Sequence, residues 1–428
     1  MISTILGAFR IGEIRNKVLF TAAILALYRL GTHIPAPGIS SAAINQLQHS
    51  NLGNNGILGL LNLFSGGGLG RIAIFALGIM PYITASIILQ LLMVVVPSLE
   101  KLQKEGEVGQ ARITQYTRYL TVGLAFAQSI GYVFLFRSYE QGAGVTLISN
   151  FNLAKVLLIV ISLTAGTVLL MWIGELITQR GIGNGISLLI FASIVARIPN
   201  GLQSWWNSPN ATFKVVMPFI ALGVVAAIVF VQEGQRRIPI QYAKRVIGRR
   251  MTQGGQTYLP LRVNMAGVIP VIFAASIMAI PPTIGSLIGQ NRTNNFATSL
   301  SNFFSPNGWH YVLGETIFII LFTYFYTAVT FNPVDQAENL RKYGGFIPGV
   351  RPGRPTAEFL DRILARLTFP GALFLAAIAA LPTILIDQTG ATFLFGGTSI
   401  LIVIGVALDT MKQLEAQLMM RNYEGFLK

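Results

Sequence analysis

The chain contains no cysteine among its 428 residues. Disulfides and thiolate chemistry are therefore excluded, and cysteine usage says nothing about the redox compartment. Charged residues are also scarce, at 11%, whereas hydrophobic residues make up 53% of the chain. This balance leaves too few polar groups to cover a water-soluble surface of this size, so the composition predicts a polytopic membrane protein.

Ionisable side chains are almost absent from the middle of the long apolar segments, where each costs at least about 2.5 to 3.5 kcal/mol and is retained for function. Glu175, Glu315 and Asp409 fall at segment ends. No metal cluster, paired nucleophile and base, or phosphate-binding loop is recognisable. We therefore expect no enzyme activity, cofactor or metal, and any energy input has to come from a partner.

Ten apolar windows are candidate membrane spans. The fifth is the weakest, because three glycines interrupt it. The windows centre on 18–30, 72–96, 119–136, 156–174, 186–196, 215–232, 265–280, 316–331, 367–386 and 393–408.

Lysine and arginine are distributed asymmetrically between the connecting segments. If the N-terminus is cytoplasmic, 24 of the 31 Lys and Arg residues lie on the cytoplasmic side, as the positive-inside rule requires. The C-terminus is then cytoplasmic as well. The first 17 residues have no small-residue cleavage site, so we expect an interfacial helix followed by a retained first span.

Residues 57–96 do not read as a simple span. The apolar run 57–64 covers less than half of an apolar layer about 30 Å thick. Ser65-Gly66-Gly67-Gly68 then separates it from the charge-free run 72–96, and residues 31–70 contain no Lys, Arg, Asp or Glu. Because irregular backbone at membrane depth needs protein or water around it, we interpret 57–69 as a re-entrant half-helix inside a cavity. An apolar helix in an ordinary external loop is the alternative.

A weak internal repeat relates the two halves of the chain. GIMPYITA at 78–85 and GVIPVIFA at 267–274 share Gly, Pro, Ile and Ala at matching positions. Because each half would hold five spans, the second half enters from the opposite side. The expected fold is all-α, with ten transmembrane helices in two inverted five-helix halves. The regions are a cytoplasmic segment 1–17, an N-terminal half 18–197, an external hinge 198–213, a C-terminal half 214–414 and a cytoplasmic tail 415–428.

Two cytoplasmic loops, 233–262 and 332–366, are larger and more basic than membrane orientation requires. Glycines at 254 and 255 suit a hairpin tip in the first loop, and prolines stiffen the second. Such loops suit an acidic or nucleic-acid partner, although basic loops also hold topology and contact anionic lipid. The candidate docking residues are Arg236, Arg237, Lys244, Arg245, Arg249, Arg250, Arg351 and Arg354.

A set of short motifs, in this order along the whole chain, resembles the bacterial SecY family, the central subunit of protein-translocation channels. The motifs are FSGG at 64–67, GIMPY at 78–82, GIGNGIS at 181–187, RRIP and QYAKR within 236–245, NMAGVIP at 264–270, PGVRPG at 348–353 and GGTS at 396–399.

The resemblance implies a passive channel in the bacterial plasma membrane that passes secretory polypeptides across and releases membrane-protein helices sideways. A docked ribosome or a SecA-type ATPase would drive it. SecE-like and SecG-like small subunits, signal sequences, unfolded polypeptides and membrane lipid are the other implied partners. The rival classes are an inverted-repeat solute transporter and a membrane-bound enzyme, and the scarcity of polar groups in mid-span argues against both.

The resemblance also implies roles for individual residues. Without the resemblance, the isoleucines listed below for the pore ring would be interpreted as core or lipid-facing residues. The side chains listed for the lateral gate would be interpreted as groups that hydrogen-bond to the backbone. The implied plug, 57–69, contains Ile57, Leu58, Leu60, Leu61, Leu63, Phe64, Ser65, Gly66 and Gly67; the pore ring is Ile79, Ile83, Ile186, Ile190, Ile272 and Ile402; the lateral gate carries Thr84, Gln128 and Ser276.

Overall fold

The computed structural model of the chain is predominantly helical. It describes residues 11–426, apart from 41–61, 63–64, 144–147, 149–150, 208–210, 243–245, 248–249, 252–255, 289–302, 305–307 and 390–396.

Among the described residues, seven helices precede the middle of the chain. They are α1 (Gly12–Gly31), α2 (Met80–Val95), α3 (Pro97–Lys104), α4 (Glu107–Ala143), α5 (Leu153–Arg180), α6 (Gly185–Val195) and α7 (Ile198–Trp206).

The remaining elements include five strands that belong to the loops between helices. In chain order they are α8 (Ala211–Glu233), β1 (Gln235–Tyr242), β2 (Val246–Ile247), β3 (Arg250–Met251), β4 (Gln256–Arg262), α9 (Ile269–Ile288), α10 (Trp309–Thr330), α11 (Pro333–Lys342), β5 (Gly345–Phe346), α12 (Arg354–Thr389) and α13 (Gly397–Phe426).

Each of the ten predicted windows overlaps one of these helices. By length and composition, five described helical segments could cross a membrane, and α2 with α3, bent by 100°, would make a sixth. The five segments are Leu153–Arg180, Gly185–Gln203, Lys214–Glu233, Trp309–Lys342 and Arg354–Leu381.

The sequence predicts a helix over the whole second window, 72–96, but only its second part is helical. Residues 72–79 form turns, and α2 begins only at Met80. The backbone of Ile72 and of Gly78 has positive φ, at 46° and 60°, a conformation that an α-helix does not contain. Pro81 then lies in the first turn of α2, where its missing N–H leaves no helical hydrogen bond unmade.

The structure adds detail to two of the predicted loops. Residues 198–206 of the expected hinge form α7, because Pro199 occupies the first helical turn, where proline is well accommodated. In the first basic loop, β2 pairs with β3, with Val246 opposite Met251 and Ile247 opposite Arg250. The glycines at 254 and 255, the expected hairpin tip, lie outside the described residues.

The chain divides into two compact units. The first comprises Met1–Asn207, Ala275–Tyr311 and Val406–Lys428, and the second comprises Ser208–Ala274 and Val312–Gly405. Segments late in the sequence are thus assigned to the first unit, and the boundaries of the two inverted halves stay a prediction.

Within the first unit, α4 and α5 are joined by an ion pair. Arg118 Nε and Nη2 donate to Glu175 Oε1 and Oε2 at 2.9 and 2.5 Å. This bidentate arrangement fixes the relative orientation of the two helices more firmly than a single contact would. Glycine at 166 allows a further close contact, because a Cβ atom there would overlap the carbonyl oxygen of Ile74.

Within the second unit, the first basic loop folds as an antiparallel ribbon. β1 pairs with β4 along its whole length and with β5 on its other edge. The buried side of the ribbon joins an apolar cluster with α12 and the second basic loop. The cluster consists of Ile238, Leu261, Phe331, Ile347, Leu360, Ile363 and Leu364.

We expect Gly166→Ala to lower the stability of the first unit by about 1 to 3 kcal/mol, because the new methyl group has to displace the backbone at Ile74. Gly123→Ala is the matched control, since a Cβ atom at this position on α4 meets nothing within 4 Å. It should be neutral or stabilising by up to about 1 kcal/mol. Thermal unfolding in detergent compares the two, and equal midpoints would contradict the close contact.

Candidate functional site

Asn62 and residues 65–70 form a loop closed by two polar side chains. The carbonyl oxygen of Asn62 accepts hydrogen bonds from the N–H of Gly67 at 2.9 Å and the hydroxyl of Ser65 at 3.3 Å. Its side-chain oxygen accepts from the N–H of Gly70 at 3.0 Å, and Ser65 Oγ accepts from the N–H of Leu69 at 3.0 Å. Asn62 and Ser65 are buried. The loop therefore has a defined shape even though it is rich in glycine. We call Asn62 together with residues 65–70 the hinge loop.

Side chains from two helices hold the hinge loop at Gly66. Arg29 Nη1, in the last turn of α1, donates to the carbonyl oxygen of Gly66 at 2.6 Å. Tyr28 and Ser193 share a buried hydrogen bond of 2.6 Å. A Cβ atom on Gly66 would lie 2.9 Å from the Tyr28 hydroxyl, and the φ of Gly66 is +64°. Both the left-handed backbone and the close approach require glycine here.

The chain that follows the hinge loop is fastened to the segment after α1. The N–H of Ala36 donates to the carbonyl of Ile72 at 2.9 Å, and the N–H of Ile74 donates to the carbonyl of Ile34 at 3.0 Å. The N–H of Ala73 also returns to Gly68 at 2.8 Å. These bonds satisfy backbone groups that no helix can satisfy, which is what irregular backbone inside a membrane protein needs.

The predicted plug coincides only partly with the described residues. Ser65, Gly66 and Gly67 belong to the hinge loop, and Ser65 is fully buried. The other predicted plug residues lie outside the described part of the chain. They are Ile57, Leu58, Leu60, Leu61, Leu63 and Phe64.

Two of the three predicted gate residues meet at one methionine. Ser276 Oγ donates to the sulfur of Met80 at 3.8 Å. Thr84 Oγ1 donates to the carbonyl of Met80 at 3.0 Å, the backbone bond that the alternative interpretation had anticipated. Gln128 lies half-buried on α4. Among the described contacts, none joins it to the other two.

The predicted ring residues are buried, except for one. Ile79, Ile83 and Ile190 are buried in the first unit, and Ile272 and Ile402 are buried in the second. Ile186 is half-buried, and its Cγ1 lies 3.2 Å from the position that a Cβ atom on Gly174 would take. Burial alone suits a core residue as well as a constriction, so the ring stays a prediction.

The arginine side chains that the structure describes in the two basic loops are exposed to solvent, and both loops contribute to the same apolar cluster. Arg236 and Arg237 are exposed at the start of β1. Arg351 is exposed in the turn before α12, and Arg354 is exposed at the first residue of α12. Arg354 Nε pairs with Glu358 at 3.2 Å. The remaining predicted docking residues are Lys244, Arg245 and Arg249, which lie outside the described residues, and Arg250, of which only the backbone is described.

Turns on both sides fix the backbone at Arg351. The N–H of Val350 donates to Ile347, and the N–H of Thr356 donates to Gly353, both at 3.0 Å. The hydroxyl of Thr356 also donates to the carbonyl of Arg351 at 2.8 Å. Within the described residues, no ion pair involves Arg351. Its guanidinium therefore projects from a fixed backbone position.

Sequence reasoning missed the side chains that support the hinge loop, which are Tyr28, Arg29, Asn62 and Ser193, and it missed Met80, which Thr84 and Ser276 contact. One signal was visible. Asn62 is a lone polar residue in the apolar run 57–64, and a buried polar side chain has to find partners.

Comparisons with known proteins agree with this architecture. A model of the SecY family matches residues 73–411. The chain is 49% identical to "Protein translocase subunit SecY" of Corynebacterium glutamicum, with all of both chains covered. It is 50% identical to the protein of the same name from Streptomyces galbus and 48% identical to that of Mycobacterium tuberculosis, again over all of both chains.

Solved structures resemble the fold at low sequence identity. One, described as "The structure of a protein conducting channel", has a TM-score of 0.64 and 19% identity over 94% of this chain and 91% of that chain. Another is Sec61 in a canine ribosome-channel complex, with a TM-score of 0.61 and 18% identity over the same shares.

Helical architecture, sequence matches and fold together define a membrane-embedded protein-conducting channel. The chain belongs to the SecY family. It is a protein-translocation channel and not an enzyme, and the solute-transporter alternative is not favoured.

We expect Gly66→Ala to destabilise the hinge loop more than Gly67→Ala does. Both glycines have positive φ, so each substitution costs about 1 to 2 kcal/mol of backbone strain. Only the methyl group at Gly66 also presses on the Tyr28 hydroxyl, whereas at Gly67 nothing lies within 4 Å. Thermal unfolding of the two variants measures the difference. Equal destabilisation would mean that Tyr28 does not confine the loop.

Proposed function

We propose that this chain translocates polypeptides through a pore that is closed at rest by residues 57–69 and opens sideways near Met80. The observation that supports this most directly is the meeting of Thr84 and Ser276 at Met80, since these residues are 192 positions apart in the sequence. The hydrogen bond from Ser276 to the Met80 sulfur joins α9 to α2 and is weak, whereas the Thr84 bond lies within α2 and is kept when the two helices separate. A seam of this kind can separate when an apolar signal helix enters, because little hydrogen-bond energy is lost.

The proposed plug moves about the hinge loop. The Arg29 hydrogen bond and the Tyr28–Ser193 pair confine Gly66, while the internal bonds of Asn62 and Ser65 keep the loop itself intact. The plug would then swing as one piece instead of unravelling. Ile79, Ile83, Ile186, Ile190, Ile272 and Ile402 are proposed to form a dry constriction beside it, in which aliphatic side chains exclude water and ions.

The proposed docking surface for the motor consists of the β1–β4 ribbon and the turn at Arg351. The shared apolar cluster holds the ribbon and the turn together, so a partner can bind both without ordering either. The partner is a ribosome or a SecA-type ATPase, and both can offer phosphate or carboxylate groups to exposed arginines. SecE-like and SecG-like subunits complete the proposed complex.

The proposed location is the bacterial plasma membrane, with both termini in the cytoplasm. The excess of Lys and Arg in the segments assigned to that side supports the orientation. Protease accessibility of the first basic loop in inside-out vesicles, compared with intact cells, tests it.

Cysteines introduced by Thr84→Cys and Ser276→Cys should crosslink in the resting channel and separate when a signal sequence is bound. The chain has no other cysteine, and a disulfide needs Cα atoms within about 7 Å. Each single-cysteine variant is the control. Equal crosslinking with and without signal peptide would remove this pair from the gate, although not the channel function.

Ile83→Asn and Ile402→Asn should raise the ion conductance of the resting channel, because a polar side chain wets an aliphatic constriction. Ile190 belongs to the same predicted ring, so Ile190→Asn should have the same effect. Leu163 is equally buried on α5, so Leu163→Asn is the control for damage to the core. If all four variants conduct alike in planar bilayers, the isoleucines are core residues and not a ring.

Arg351→Glu should reduce motor-driven import by about tenfold or more, since a charge-assisted hydrogen bond worth about 1.5 to 3 kcal/mol is replaced by repulsion. Lys342→Glu reverses a charge in the same loop, and Lys342 already lies 3.9 Å from Glu338. Import and motor ATPase stimulation are compared in reconstituted vesicles at equal channel levels. Equal effects of the two variants would favour a role in orientation over docking.

A further inference from the structure

Three arginines of the first unit converge beside the hinge loop. Arg29 ends α1, Arg71 follows the loop, and Arg197 lies between α6 and α7. Arg29 donates a hydrogen bond to the carbonyl of Gly66. A Cβ atom built on Gly66 would lie 3.4 Å from Cα of Ser193, which is one helical turn before Arg197. Arg197 lies close enough to Arg71 and Arg29 to experience the charge of both.

The positive charges of this cluster are incompletely compensated by the described chain. Arg71 Nη1 and Arg197 Nη1 are buried, and neither has a hydrogen-bond partner among the described residues. Within the described part of the chain, no ion pair includes Arg29, Arg71 or Arg197. Burial, and then the charge of Arg29, lower the pKa of Arg71. A buried charge without a partner is costly, so the cluster calls for an anion.

The sequence offers no acidic residue nearby along the chain. Residues 31–70, which connect Arg29 to Arg71, contain neither Asp nor Glu. Arg118 on α4 shows the contrast, because Glu175 neutralises it through two hydrogen bonds. Among the described residues no carboxylate pairs with the three arginines, so an anion from outside the chain can supply the counter-charge.

We propose that Arg29, Arg71 and Arg197 form a binding site for a phosphate group. A guanidinium presents a planar fork of donors that fits phosphate oxygens bidentately. Arg29 lies in the last turn of α1 and Arg197 follows the end of α6, whereas Arg71 belongs to the irregular segment before α2. The ends of membrane helices are where lipid headgroups are found. The phosphate is either that of an anionic lipid headgroup or a free phosphate ion. When bound, it lowers the net positive charge of the cluster and holds Arg29 in place against the carbonyl of Gly66.

The test uses the full channel complex, purified in detergent and stripped of lipid. One arm adds inorganic phosphate at constant ionic strength, and the other adds phosphatidylglycerol, with diacylglycerol of the same acyl chains as its control. Each arm measures the midpoint of thermal unfolding. A ligand that binds only the folded state raises the midpoint, and at saturation we expect about 3 °C or more.

Arg71→Gln and Arg197→Gln should abolish the shift. Arg137→Gln should keep it, because Arg137 is exposed and stacks on Phe151 at 4.2 Å. Arg71→Lys retains the charge without the fork and should keep only part of the shift, so it separates the role of the planar guanidinium from that of the charge. A shift with inorganic phosphate identifies a free ion as ligand, and a shift with phosphatidylglycerol alone identifies a lipid headgroup.

The unliganded variants give a second readout. Without any added anion, Arg71→Gln should unfold at the same temperature as the parent chain or higher, since repulsion within the cluster is relieved. A purely structural role for Arg71 predicts the opposite, and a lower midpoint would overturn the site. So would shifts that are absent in both arms or the same in Arg71→Gln and Arg137→Gln.

Discussion

Backbone hydrogen bonding is the constraint on which this structure depends. Apolar surroundings offer no water to N–H and C=O groups, so a chain there is helical or is enclosed by partners. Most of this chain satisfies the requirement with helices. The hinge loop and residues 71–79 do not, and they rely on Asn62, Ser65, Arg29 and the segment after α1. The irregular backbone proposed to act in gating is therefore held by many hydrogen bonds.

This constraint explains which parts of the fold could be predicted from the sequence. Long apolar runs locate helices because helices are what such runs form in a membrane. The start of α2 was misplaced because residues 72–79 are as apolar as the helix that follows, and only the positive φ of Ile72 and Gly78 distinguishes them.

The candidate site was predictable where residue type alone carries the chemistry. Arg351 between two Pro-Gly pairs indicates a presented guanidinium, and the turns around it are observed. The support of the hinge loop was not predictable, because it depends on contacts between residues far apart in the chain, such as Tyr28 with Ser193. Tyr28 and Ser193 lie in apolar helices, and the position of a single hydroxyl in the sequence does not indicate which residue it contacts.

The distribution of positive charge connects the topology to the proposed phosphate site. Seven of the 31 Lys and Arg residues are not assigned to the cytoplasmic side, and three of these are Arg29, Arg71 and Arg197. Selection for orientation disfavours positive charge on the outer side, so outer arginines that persist need a compensating role. Surface exposure would make them inexpensive, as it does for Arg137. Partial burial removes that explanation for Arg71 and Arg197, whose unpartnered nitrogens lie beneath the surface. A bound phosphate supplies the compensation, and it links the chemistry of the membrane interface to the one loop that the proposed plug has to turn on.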